Sequence, residues 1–153
     1  MTVIKTTGRA GAMSVEIEGL SDIVKRLRST GIRVWSDTEF QMLKLGTYFQ
    51  EEVSESIAGN RAEIKSVDTG NFLKSIKLDV IEGKKTECGV KIYPQAISYP
   101  NSNVTTAEVA KILEFGTSKN PTPRLHFNNT LKRNEKKITG DIKVSVTKSV
   151  NKF

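Results

Sequence analysis

Trp35-Ser36-Asp37-Thr38-Glu39-Phe40-Gln41-Met42 opens the stretch, residues 35–60, whose reading decides the fold. Ser36 and Glu39 stand three apart, the spacing at which a hydroxyl and a carboxylate satisfy the free amides of a helix start. Trp35 and Phe40 flank the pair as a hydrophobic staple would. A helix is therefore predicted from near Asp37. Met42, Leu45, Phe49, Val53 and Ile57 then recur every three or four residues, which places them on one helix face as core. Gly59-Asn60 supplies the stop.

The pattern changes period downstream. Ile76, Leu78 and Val80 alternate with Lys77 and Asp79, Glu82-Gly83-Lys84-Lys85 turns the chain, and Cys88, Val90 and Ile92 alternate again. A two-residue period on both sides of a turn predicts an antiparallel hairpin with one apolar face. Cys88 then points inward, as an inert buried thiol.

Upstream, residues 1–13 read as a flexible, polar leader, and Ser14-Val15-Glu16-Ile17-Glu18 as a half-buried strand. Leu20, Ile23, Val24 and Leu27 give a short helix that Ser21 caps and Gly31 ends. Downstream, Thr105 and Glu108 repeat the capping-box spacing ahead of Val109, Ile112, Leu113 and Phe115, and this helix ends at Gly116. Pro121 and Pro123 hold an extended segment. Phe127, Leu131, Ile138 and Ile142 fall on one stripe of a final helix, with Gly140 away from the core. From Ile142 onward Val144 and Val146 alternate like a strand, so 142–150 fits either a helix or a strand. One domain over 14–150 is expected. Residues 151–153 are a C-terminal tail.

The length of 153 residues suits one core, and no run of eighteen apolar residues or signal-peptide pattern occurs, so the chain is expected to stay in the cytoplasm where it is made, with no membrane partner. Cys88 is the only cysteine and His126 the only histidine, which excludes intrachain disulfides and Cys-rich or paired-His metal sites. Net charge is +7, and from Lys119 onward nine Lys and Arg face two acidic residues, so the first 118 residues are neutral overall. Lys132, Arg133, Lys136 and Lys143 fall opposite the apolar stripe, as a basic face suited to an acidic partner or to the bland task of solvation.

Asp68-Thr69-Gly70 is the triplet of aspartic proteases, where two carboxylates share a proton. Here Lys65 and Ser66 precede it, Asn71 follows, and no apolar strand surrounds it. The triplet reads better as a turn, with Asp68 or Thr69 accepting amide hydrogen bonds and Gly70 allowing a sharp change of direction. No Ser-His-Asp set, phosphate loop or carboxylate cluster is legible, so no catalytic, cofactor or metal residues are assigned.

The strings Val15-Glu16-Ile17-Glu18-Gly19-Leu20, Val67-Asp68-Thr69-Gly70-Asn71-Phe72-Leu73-Lys74-Ser75-Ile76 and Glu114-Phe115-Gly116-Thr117, the last followed by Pro121-Thr122-Pro123-Arg124-Leu125, resemble the tail-completion or head-to-tail joining family of long-tailed bacteriophages and prophages. The resemblance spans Ser14 to about Val146. It departs at 93–105, a longer connection, and at Leu125-His126-Phe127, where a Pro-Phe-Leu type is usual. The resemblance implies an α+β domain, a mostly antiparallel sheet packed with a long N-terminal helix and further helices, and a non-enzymatic structural virion protein, a ring subunit, commonly sixfold, that completes the tail and meets the head connector and the tail tube at the neck. It also implies that Asp68, Thr69, Gly70, Glu114, Phe115, Gly116, Thr117 and Arg124 are structural or interface positions. The basic face would then touch genome DNA or an acidic neighbour. The runner-up is a small, freestanding basic nucleic-acid-binding protein, although no stacking platform is visible.

Overall fold

The computed structural model describes residues 3–9, 12–18, 34–67, 70–82, 88–100, 102–119 and 121–150. The short helix expected at 20–30, Asp68, Thr69, the turn at 83–85 and residues 151–153 lie outside them.

Helix α1 spans Val34–Ala58. It starts three residues before the expected point, because neither Val34 nor Trp35 breaks a helix, so Ser36 lies within the first turn and is not its cap. The staple expected of Trp35 and Phe40 rests on a Trp35 side chain outside the described ones; Phe40 stands about 200° around the helix from Met42 and is 63% exposed. The inward face is as expected, with Met42, Leu45, Phe49, Val53 and Ile57 buried. At the other end Gly59 takes φ 83°. Its N–H donates to the Ser56 carbonyl (3.1 Å) and that of Asn60 to Glu55 (2.9 Å), a Schellman closure.

Four strands form one sheet in the order β1-β2-β4-β3, every neighbour antiparallel: β1 Val3–Arg9, β2 Ala12–Glu18, β3 Ile76–Glu82 and β4 Cys88–Pro94. The β3–β4 hairpin is the expected one, with Leu78 opposite Ile92 and Val80 opposite Val90. Residues 3–9 correct the leader assignment. Val3, Ile4, Thr6 and Thr7 are β-branched, and each residue of β1 has a register partner in β2, from Val3 and Glu18 to Arg9 and Ala12. Helix α1 lies against β3 and β4. A Cβ at Gly46 would come within 2.8 Å of Leu78 Cδ1 and 2.9 Å of Val90 Cγ2, so this glycine sets how closely helix and sheet approach.

Gly70, at φ 79°, turns the chain into the short helix α2 (Asn71–Lys74), which buries Phe72. Helix α3 spans Thr106–Phe115 and carries the expected capping box: the Thr105 hydroxyl accepts from the Glu108 amide while Glu108 Oε2 accepts from the Thr105 amide. Helix α4 spans His126–Val150. Residues 142–150 are thus helical, because Ile142 and Val146, four apart, both pack on the core while Val144 turns outward. Asp37 lies near Ser149 and Ser56 near His126, so α4 runs antiparallel to α1. The fold is α+β, and one cluster joins Phe49 and Val53 of α1, Phe72 of α2, Ile76 and Ile92 of the sheet, Ala110 of α3, and Phe127 and Ile138 of α4.

Gly116 closes α3 at φ 73° and ψ −177°, a region that only glycine occupies without strain, while its N–H donates to the Ile112 carbonyl (2.8 Å). Gly116→Val is expected to destabilise the fold by about 1–3 kcal/mol. Thermal unfolding checks this, and an unchanged midpoint would contradict the assigned backbone conformation.

Candidate functional site

The start of α4 draws in side chains from three other parts of the chain. A helix begins with four amides that lack intrahelical acceptors, and Leu125, the residue before α4, offers no side-chain oxygen. The acceptor is Glu114 at the end of α3, 3% exposed. Its carboxylate takes the Phe127 amide at 3.1 Å and the Asn128 amide at 2.8 Å. Burial pushes the Glu114 carboxyl above the usual range, and the two amide bonds oppose that rise. Leu125 itself sits at φ 54°, a left-handed conformation uncommon for a non-glycine residue.

This strained residue separates two groups aimed at the loop after α1. Arg124 Nη1 donates to the Lys65 carbonyl (2.8 Å) and to Ser66 Oγ (2.7 Å). His126, 1% exposed, lies between two hydroxyls, with Ser56 Oγ 2.9 Å from Nδ1 and Ser66 Oγ 2.6 Å from Nε2. Ser56 Oγ donates to Glu63 Oε2 (2.8 Å), and Arg133 Nη1 donates to Glu63 Oε1 (3.0 Å). The same loop is held from outside by Arg61, whose Nη2 donates to Glu52 Oε1 at 2.6 Å.

The protons can be assigned by following the charge. A carboxylate paired with Arg133 is an acceptor, so the Ser56 proton goes to Glu63, and Ser56 accepts from His126 Nδ1–H. Neutral His126 then accepts at Nε2 from Ser66, whose oxygen accepts from Arg124. Burial holds His126 down to about 4; Glu63 acts against that lowering and Arg124 adds to it. Burial pushes the Glu63 carboxyl up, but the bonds from Ser56 and Arg133 outweigh it and leave the carboxyl below the usual range.

Of the residues singled out from sequence, the fold brings Glu114 and Arg124 together at this junction, and Gly70 and Gly116 take the positive φ that turns need. Phe115 is 59% exposed and Thr117 is also exposed. Lys132, Lys136 and Lys143 lie exposed on α4, as expected of a basic face. Arg133 is exposed as well, but its guanidinium is paired with buried Glu63, which would otherwise be a desolvated charge without a countercharge. Ser56, Glu63, Ser66 and His126 carry no local signature, because 70 residues separate Ser56 from His126 and 60 separate Ser66 from it. The one available signal was a lone histidine two residues from an arginine. Among the described residues no group of three His, Cys, Asp or Glu side chains could hold a metal, and no helix is long and apolar enough to cross a membrane.

The histidine makes stability depend on acid in a definite direction. An unfolded chain protonates His126 below its ordinary pKa of about 6.5, while the folded chain resists until about 4. Stability present at neutral pH is therefore lost as pH falls across that window, by about 2.5 kcal/mol at pH 4.5. Glu114, whose carboxyl is raised, takes up its proton sooner in the folded chain and offsets part of the loss. Urea unfolding at pH 7 and 4.5 is expected to show the decrease in the native protein and a much smaller one in His126→Asn. Equal decreases in both would remove His126 as the cause.

No family model matches the chain, and no curated protein or solved structure shows significant similarity to it.

Proposed function

We propose that this chain is a structural virion protein of a long-tailed bacteriophage or prophage, a neck ring subunit that completes the tail and joins it to the head connector. The observation that carries the reading is the meeting of Glu114 and Arg124 at the start of α4. They belong to the two downstream strings on which the resemblance rests, ten residues apart, and each braces one element against another. That supports reading those strings as marks of architecture. Exposed edges and faces, such as the β3 edge of the sheet and the outer side of α4, are what a ring subunit offers its neighbours.

The second reading, a freestanding nucleic-acid binder, is favoured by one feature. At 100° and 1.5 Å per residue, Lys132, Lys136 and Lys143 fall within about 40° of one another along about 16 Å of α4. A titration of duplex DNA at two salt concentrations separates the readings, since a binder of this class has submicromolar affinity that falls steeply with salt.

For the joining role, a phage lacking the gene is expected to make DNA-filled heads and separate tails but few infectious particles. Supplying the protein is expected to restore infectivity. Combined alanine substitution of Lys132, Lys136 and Lys143 is expected to weaken the rescue while leaving the unfolding midpoint within a few degrees, because exposed unpaired charges contribute little to stability. Electron microscopy of the lysate is the measurement. Intact infectious virions without the protein would exclude the joining role.

A further inference from the structure

We propose that Ser66 is a reactive serine, with His126 as its base and Arg124 as the nearby cation, and that the cleft beside it accepts small esters of short-chain carboxylic acids. The proposal does not depend on the joining role. It rests on geometry that the structural account leaves unused.

Holding α4 in place requires that Ser66 and His126 be hydrogen-bonded. It does not require that Ser66 also border a cleft. Yet Ser66 lines a cavity of about 400 Å³ whose other walls include Phe72, Tyr99, Val104, Val109 and Leu113. The cavity therefore sets mostly apolar walls, with Ser102 and Tyr99 among them, around the Ser66 hydroxyl, whose nearer acceptor is an imidazole nitrogen 2.6 Å away and whose other is the Ile64 carbonyl at 3.2 Å. A nucleophile within hydrogen-bond reach of a base, and a base oriented through its second nitrogen, is the arrangement that activates serine. Here the orienting group is Ser56, itself fixed by Glu63 (2.8 Å), which holds Nδ1 protonated and leaves Nε2 free to take a proton. Arg124 Nη1, 2.7 Å from Ser66 Oγ, is the donor best placed for negative charge developing on the ester's carbonyl oxygen, two bonds away from Oγ in the adduct. The left-handed Leu125 fixes the directions of Arg124 and His126 together, and a strained residue beside a reactive pair is a recurrent feature of functional sites.

The chemistry is acyl transfer from an ester to water. Ser66 Oγ attacks the ester carbonyl carbon while its proton passes to His126 Nε2. The tetrahedral adduct collapses by breaking the bond to the alcohol oxygen, which takes the proton from Nε2 and leaves as the alcohol. Water then attacks the acyl-serine with the same proton movement, releasing the carboxylic acid and restoring the Ser66 hydroxyl. One ester and one water give one acid and one alcohol. The weak basicity of buried His126 limits the help it gives to each proton transfer, so covalent capture is a better readout than turnover.

The full-length protein is treated with an alkyl fluorophosphonate, and separately with p-nitrophenyl butyrate. Expected are one phosphonyl adduct per chain by intact mass, mapped to Ser66, and a burst of about one equivalent of nitrophenol. Labelling of Ser66 should exceed that of an exposed serine by on the order of a hundredfold. Ser66→Ala should abolish both signals. Should that variant unfold, Val109→Trp, which fills the cleft and leaves Ser66, His126 and Arg124 in place, should suppress them instead. Absence of an adduct on the folded native protein, an adduct elsewhere in the chain, or labelling that persists in the folded variants would overturn the proposal.

Discussion

The Glu114 carboxylate is the contact on which the arrangement of helices depends. Helix α4 begins inside the protein, where a free amide costs about 1–3 kcal/mol if it finds no partner. The segment leading into α4 ends in Leu125, which has no side-chain acceptor, so the amides of Phe127 and Asn128 must look elsewhere. Glu114 satisfies both and places negative charge at the positive end of the helix. The end of α3 is thereby bound to the start of α4, and the ten residues between them close a loop that the two prolines keep extended. Because α4 also supplies Phe127, Leu131, Ile138 and Ile142 to the core, its placement governs the packing of α1 and, through α1, of the sheet.

Charge inside this junction is arranged so that no buried group lacks a partner. Glu63 is desolvated and therefore needs Arg133, and Arg133 reaches it because residue 133 lies on the side of α4 that turns toward α1. A positively charged imidazole would be desolvated there and would also sit beside Arg124, and His126 stays neutral instead. Breaking one member of such a set costs more than the set contributes by existing, since the remaining charge stays buried. The hub's value lies in fixing the loop at Ser66 relative to α4, while apolar burial supplies the stability.

Local chemistry was legible in the sequence, and distant chemistry was not. The inward face of α1, the β3–β4 hairpin, the Thr105–Glu108 box and the apolar stripe of α4 all follow from spacings of two to four residues, which side-chain directions dictate. The Gly59 stop and the Gly116 end are equally local. Strand β1 escaped because its β-branched residues are interrupted by polar ones and its partner strand, not its own pattern, completes it. The start of α1 moved because a capping-box spacing also fits inside a first turn. Residues 142–150 satisfy both periods as far as Val146, and the core packing of both Ile142 and Val146, four apart, decides between them. The hub could not be read at all: Ser56, Glu63, Ser66 and His126 are ordinary residues until the antiparallel packing of α1 and α4 superimposes them. Spacing groups Arg133 with its lysine neighbours, and only the fold shows that a carboxylate 70 residues away pairs with it.

Helix α4 therefore carries three faces with different electrical consequences. The core face is apolar. Toward α1, His126 is neutral, Arg133 is paired with Glu63, and Lys137 is paired with Asp141 (2.9 Å) with its ammonium 4.3 Å from the Tyr48 ring centroid. Charge on that face is compensated within the molecule and has little reach beyond it. Lys132, Lys136 and Lys143 form no ion pair among the described residues and stand on the third face, where exposed ammonium groups add almost nothing to folding. Folding thus accounts for the composition of two faces and leaves the third unexplained. Uncompensated charge aligned along one helix is felt at about a Debye length, roughly 8–10 Å at moderate salt, and biases which surfaces approach and in what orientation. The basic excess of the C-terminal third is consequently better understood through what meets the outside of α4 than through anything inside the fold.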